Sequence, residues 1–345
     1  MTRAYGARAP AAALGPLEIT RREPGPHDVE IAIDWCGVCH SDLHQVRDEW
    51  GGATFPLVPG HEIVGRVTRV GASVRRFRPG DLAGVGCLVD SCRSCEPCRH
   101  DRQQFCAKGA AWTYASTEMD RVTPTQGGYS KSIVVDEAFT LSIAKGQDLS
   151  RVAPLLCAGV TTWSPLRHWR AGKGSRVAVV GLGGLGHMAV KLAAALGAEV
   201  TLLSGSAAKE KDARGLGAHE FVLTSEKGAL RKLAGRFDLV VDTVSAAHDL
   251  NRLLATVKID GALVLVGAPP APAPVQAFSL IGGRKALAGS LIGGIAETQE
   301  MLDFCAERKI GADVEVIPMR AIDEAYERML RSDVRYRFVL DLSTL

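Results

Sequence analysis

RVAVVGLGGLGHMAVKLAAALGA (residues 176–198) decides how this chain folds. The apolar run RVAVV reads as a short buried strand, and HMAVKLAAALGA reads as a helix. Between them stands G-x-G-x-x-G, at Gly181, Gly183 and Gly186. Alone the pattern is weak; directly after a strand and opening a helix it is strong. The first glycine permits a tight turn, the second lets a pyrophosphate approach the backbone, and the third lets the helix pack close to the strand. The helix N-terminus then faces the phosphates. Gly181, Leu182, Gly183, Gly184, Leu185 and Gly186 are therefore expected to cradle a dinucleotide. The plainer alternative is a glycine turn with no ligand.

Beyond this unit the same rhythm continues. EVTLLS leads into AAKEKDARGLGA, and FDLVVDTV and GALVLVGAP follow as short apolar strands with turn signals behind them. Strands alternating with helices predict parallel βαβ units in a doubly wound sheet. The Pro/Ala stretch APPAPAPV (268–275) reads as a loop inside that domain. Residues before about 150 have another texture. EIAIDWCGV, EIVGRVTRVG and YSKSIVVDE are short β-branched runs ended by turn residues, as in an irregular β-rich domain. After about 294, ETQEMLDFCAERK and IDEAYERMLRSD read as helices and RYRFVLDL as a strand.

The strand EVTLL offers a reading of the nucleotide. A carboxylate at its end would hold a ribose 2′-hydroxyl and repel a 2′-phosphate. It ends instead in Ser204-Gly205-Ser206, with Lys209 shortly after. Two hydroxyls and an ammonium favour a 2′-phosphate, hence NADP(H) over NAD(H). A generic polar turn with Lys209 on an exposed helix face is the alternative.

Length and composition bound the rest. The 345 residues suffice for two domains, and 46% hydrophobic with 23% charged residues is a globular composition. A net charge of +3 provides no field for nucleic acid or acidic lipid as main partner. The N-terminal MTRAYGARAPAAALGP lacks the apolar core of a signal peptide, and no stretch approaches the ~20 apolar residues of a membrane span. The chain is read as cytoplasmic, where thiols stay reduced. Nine cysteines in that setting point to metal or catalysis before disulfides. Four of them, Cys92, Cys95, Cys98 and Cys106, fall in CRSCEPCRHDRQQFC (92–106). Such a set suits a closed tetrahedral zinc site or an iron–sulfur cluster. No recognition element or broad basic face accompanies it, which argues against a nucleic-acid finger.

Several longer motifs together resemble one family. GHEIVGRVTRVGASV (60–74) matches a zinc signature of the form G-H-E-x2-G-x5-G-x2-V. CHSD (39–42), GGYSKSIVVDE, GLGGLGHMAVKLA, GSLIGGIAETQEMLDFCAE and SDVRYRFVLD are similar to the same group. Over nearly its whole length the chain resembles the zinc-dependent medium-chain alcohol dehydrogenases, in particular their cinnamyl alcohol dehydrogenase-like branch. The resemblance implies an α/β protein: an irregular β-rich, GroES-like catalytic domain (1–151 and 294–345) and a doubly wound parallel-sheet Rossmann domain (152–293).

It also implies roles that spacing alone could not assign. Cys39, His61 and Cys157 would bind a catalytic zinc, leaving a fourth position open. Glu62 would be able to enter the coordination sphere, and Asp42 would orient His61. Cys92, Cys95, Cys98 and Cys106 would close on a structural zinc, making two zinc ions per chain. Ser41 would hydrogen-bond the alcohol oxygen and His44 would pass the proton outward through the nicotinamide ribose. The alternatives are Ser41 as a helix cap and His44 as a surface histidine. His40 would approach the pyrophosphate and Thr161 the nicotinamide. Trp112 and Trp50 would wall the substrate pocket, or else be core tryptophans. Cys36 and Cys87 stand outside both sets.

The implied activity interconverts primary alcohols and aldehydes, aromatic or α,β-unsaturated, with NADP(H), mainly as aldehyde reduction. Reduction of imines or conjugated alkenes and a non-catalytic nucleotide-binding role are the alternatives. A homodimer paired near KALAGSLIGG completes the expectation.

Overall fold

The computed structural model describes residues 1–269 and 271–345; Pro270, in the predicted Pro/Ala loop, lies outside them. The chain divides into two compact units, Met1–Val160 with Gly293–Leu345, and Thr161–Ile292.

The second unit is a six-stranded sheet with every pair parallel. Its order is Glu220–Leu223, Glu199–Ser204, Arg176–Val180, Phe237–Asp242, Val257–Leu265 and Ala286–Gly289. The chain starts in the middle, winds to one edge and then to the other, so the strand order reverses beside Arg176–Val180. That strand is buried at every position but its first, as a strand covered on both faces must be. Phe237, Val240, Leu250, Leu254 and Leu263 form part of the core beside it. The strand Glu220–Leu223 carries no strong sequence signal, since all four side chains are only partly buried.

The first unit is built on a mixed sheet around Asp28–Gly37. In that strand Val29, Ile31 and Ile33 are buried, the period-two alternation of a strand with one face on the core. It pairs antiparallel with Ile63–Val70, Ser132–Asp136 and Arg337–Asp341. The C-terminal strand thus returns to the N-terminal sheet. Helix Ile295–Glu307 buries Met301, Leu302 and Cys305, spaced at one helical face. Among the described residues no helix is long and apolar enough to cross a membrane.

Candidate active site and metal centres

Strand Asp28–Gly37 ends directly before helix His40–Val46. Cys39 is the N-cap, and Asp42 in the first turn accepts from the Cys39 amide at 2.8 Å. Ser41 therefore lies inside the first turn and does not cap the helix. Its Oγ is 3.6 Å from Cys39 Sγ.

Cys39, His61, Glu62 and Cys157, all buried, bring one ligand atom each to within 4.8 Å of one another. Asp42, fully buried, fixes this group from behind. Its Oδ1 accepts from the Gly60 amide at 3.0 Å and lies 3.3 Å from His61 Nδ1. Tyr129 donates to Oδ2 at 3.3 Å, and Tyr114 stacks on the His61 ring at 5.6 Å. Segment 127–129 binds the segment leading to His61 through amides to the carbonyls of Val58, Gly60 and Pro59. Arg21 holds that segment from the other side, donating to the Gln126 and Gly127 carbonyls at 2.6 and 2.9 Å and to Ser130 Oγ at 2.8 Å. Burial pulls its guanidinium down to about 10.

Glu62 is paired with Arg337, whose guanidinium donates to Oε1. The other carboxylate oxygen is buried with no hydrogen-bond partner among the described residues. Gly37 makes the room, because a Cβ there would fall 1.9 Å from Glu62 Oε2. Burial pushes the Glu62 carboxyl up to about 7, against the pull of Arg337. The bond from the Cys157 thiol holds Cys39 well below the usual thiol range, despite burial and with help from Arg337. Burial opposes charge on His61, but Cys87 and Asp42 outweigh it and keep the imidazolium well above the usual histidine range. Two thiols, an imidazole and a carboxylate with an orphaned oxygen, sharing protons that a cation would displace, fit a zinc ion.

His44 and Trp50 form a separate pair. The Glu49 carboxylate bonds His44 Nδ1, and the indole of Trp50 stacks on the His44 ring at 5.0 Å. Trp50 is 54% exposed, so the core-tryptophan alternative does not hold. His40 is exposed, its ring 6.5 Å from that of His44. Trp112 is half-buried in a two-residue strand opposite Leu88.

Cys92, Cys95, Cys98 and Cys106 also bring their sulfurs within 4.8 Å of one another. Cys95 Sγ lies 3.4 Å and Cys92 Sγ 3.9 Å from Cys98 Sγ. Amides of Cys95, Ala107 and Cys92 each point at a sulfur from 3.4 Å. Such N–H donors steady thiolates; those of Ser94 and Cys95 bring Cys92 down to about 5, whereas burial pushes Cys98 up to about 12. Four thiolates leave no open position, so this set fits a structural zinc.

In the second unit Gly181 has φ +87°, which only glycine adopts without strain. A Cβ on Gly186 would fall 2.1 Å from the Gly181 carbonyl oxygen, so the third glycine is needed for close packing. Ser204 is 6% exposed and its Oγ accepts from the Ser206 amide at 3.2 Å, so the exposed hydroxyl of this turn is that of Ser206. Lys209 Nζ donates to the Leu182 carbonyl at 2.8 Å, which ties the 204–209 turn to the glycine turn. Thr161 is buried.

Sequence reading missed Arg337, Tyr129, Tyr114, Arg21, Glu49 and the closeness of Cys87 to Cys157 and His61. Arg337 and Tyr129 sat in quoted motifs, RYRF and GGYS, but nothing local connects them to residues 42 and 62.

Residues 25–145 match the family described as alcohol dehydrogenase GroES-like domain, and residues 184–307 match zinc-binding dehydrogenase. The chain belongs to the zinc-binding medium-chain alcohol dehydrogenases. It is 54% identical to the NADP-dependent alcohol dehydrogenase C of Mycobacterium bovis, over 99% of each chain. Identity is also 54% to the aldehyde reductase YahK of Escherichia coli, over 99% of this chain and 97% of that one. Among solved structures, a cinnamyl alcohol dehydrogenase of Sorghum bicolor superposes with a TM-score of 0.95 at 42% identity, covering 99% of this chain and 98% of that one.

Proposed function

We propose that this protein is a zinc- and NADP(H)-dependent oxidoreductase that interconverts primary alcohols and aldehydes, working mainly as an aldehyde reductase. The buried convergence of Cys39, His61, Glu62 and Cys157 carries the reading. The family, and the relatives' names as an NADP-dependent alcohol dehydrogenase and an aldehyde reductase, support it.

A zinc ion bound there supplies a Lewis acid for a carbonyl oxygen, and bound NADPH supplies the hydride. Cys39, His61 and Cys157 hold the ion, while Arg337 holds Glu62 and Asp42 holds the His61 ring. Ser41, beside Cys39, donates its hydroxyl proton toward the substrate oxygen. His44 restores that proton to Ser41 and is itself reprotonated from solvent by way of Glu49, whose side chain is 43% exposed. The backbone of Gly181–Gly186 would hold the pyrophosphate, and the roles assigned to His40 and Thr161 are toward the pyrophosphate and the nicotinamide respectively. Ser206 and Lys209 receive the 2′-phosphate at the turn that Ser204 and Gly205 shape. Trp50 and Trp112 favour an aromatic or α,β-unsaturated aldehyde, which the sorghum relative's name also supports.

Cys92, Cys95, Cys98 and Cys106 hold a second, structural zinc. Two thiolate-bound metals call for reduced cysteines, which supports a cytoplasmic setting. A homodimer is supported by the edge strand Ala286–Gly289, which has no neighbour on its outer side among the described residues. Phe278 and Ile281 in the adjoining helix are 81% and 67% exposed.

The test is steady-state oxidation of NADPH, then NADH, with cinnamaldehyde, benzaldehyde and hexanal. Turnover at least about tenfold more efficient with NADPH, and lost on zinc removal, is expected. Equal use of NADH overturns the role of Ser206 and Lys209. Zinc-loaded protein inactive on all three aldehydes moves the assignment to imine or alkene reduction.

A further inference from the structure

Strand Phe237–Asp242 ends beside strand Arg176–Val180, where the strand order of the parallel sheet reverses. Open α/β sheets bind ligands outside the carboxyl ends of their strands at such a point. Loop 243–249, leaving this strand, lies on the glycine turn. A Cβ on Gly181 would fall 2.8 Å from Val244 Cγ2, and one on Gly186 would fall 3.2 Å from Thr243 Oγ1. Thr243 Oγ1 also donates to the Val180 carbonyl at 2.8 Å. On the other side a Cβ on Gly267 would meet the Val244 carbonyl oxygen at 2.5 Å. The loop is wedged between glycines and forms the wall next to the turn assigned to the pyrophosphate.

A histidine closes this loop. His248 Nε2 is 2.7 Å from Asp242 Oδ2, and Nδ1 is 2.8 Å from the Ala246 carbonyl oxygen. Asp242 is 1% exposed, and its Oδ1 accepts from the Val244 amide at 3.1 Å. A carbonyl oxygen only accepts, so Nδ1 carries a hydrogen; Nε2 faces a buried carboxylate. An imidazolium satisfies both contacts, and a neutral ring between two acceptors does not. Partial burial opposes the charge, but the Ala246 carbonyl and Asp242 outweigh it and hold the ring above the ordinary histidine range. Asp242 and Asp249 are the charged groups facing the ring. The glycine turn 181–186 and segment 266–269 contain no titratable side chain.

We propose that His248 is a positioning residue for the dinucleotide: its doubly bonded ring pins loop 243–249 against the glycine turn, so NADP(H) affinity falls as the ring loses its proton. The inference rests on the nucleotide site described under the proposed function. Loss of the proton costs the Nε2 bond to Asp242, the pinned loop becomes less populated, and the apparent Kd rises in proportion.

The experiment measures the Kd for NADPH by quenching of tryptophan fluorescence, from pH 6 to 9, in the zinc-loaded protein and its His248→Gln variant. Glutamine keeps a neutral donor but cannot titrate. The 2′-phosphate titrates identically in both, so the ratio of the two Kd values at each pH isolates the histidine. That ratio is expected to be about fivefold or more at pH 6, with the variant weaker, and to shrink toward one by pH 9. A ratio independent of pH overturns the inference and leaves the nucleotide site standing. Failure of the wild type to bind NADPH at any pH overturns the site itself. Ring 15N shifts of His248 in the wild type give a check free of any substitution. Protons on both nitrogens at pH 7 are expected, and a single proton overturns the proposal.

Discussion

Arg337 and Glu62 stand 275 positions apart in sequence and form an ion pair in which neither side chain is more than 4% exposed. Removing one partner of such a pair leaves an uncompensated buried charge, which costs about 3–5 kcal/mol. Arg337→Leu should lower stability by that order in urea unfolding of the zinc-loaded protein. The double variant Arg337→Leu with Glu62→Gln should recover part of the loss, since no charge is then stranded. Strictly additive losses would mean that the two side chains are not coupled.

The four-cysteine lobe and the Cys39–His61–Cys157 cluster share no residue, so their metals should be separable. Cys95→Ser is expected to reduce bound zinc from two ions per chain to one and to lower the thermal midpoint. The remaining zinc should still support turnover below that temperature. Metal analysis of the purified variant decides the point; retention of both ions would remove the lobe as a zinc site.

His44, bonded to Glu49, is assigned the exchange of the proton between Ser41 and solvent. His44→Ala should lower kcat for aldehyde reduction by roughly 10²-fold. Imidazole added to the buffer should restore part of the rate, while the Kd for NADPH changes little. Glu49→Gln should cause a smaller fall. An unchanged kcat in both variants would exclude this route.

Asp28 illustrates the acid limb of stability. Burial raises its carboxyl, but the bonds from Arg22 and the Gly25 amide outweigh it, and the net shift is downward. A carboxyl depressed in the folded state adds stability above its unfolded value of about 3.9, and that stability is lost as pH falls toward the folded value. Asp28→Asn should therefore be less stable than the parent at pH 7, and the gap should narrow below about pH 3.9. Thermal midpoints across pH 2.5–7 test this; a constant gap would contradict it.

Features written in contiguous residues were legible without a structure. The glycine turn declares itself because its geometry is local: Gly181 needs a positive φ, and Gly186 needs a bare Cα against the carbonyl five residues back. The four cysteines at 92–106 are likewise a local set, and the alternation from RVAVV onward is the signature of a parallel sheet. Tertiary structure alone decided which distant side chains meet. Cys39 meets His61 because strand Asp28–Gly37 pairs with Ile63–Val70, and Cys157 reaches both from the end of the turn Ala153–Leu156. The returning C-terminal strand pairs with Asp28–Gly37 and brings Arg337 to Glu62. Hydrophobic periodicity determines which face of an element is buried, but which polar groups share a buried site depends on strand order and register. Those arise from the packing of the whole chain, and no short window of sequence contains them.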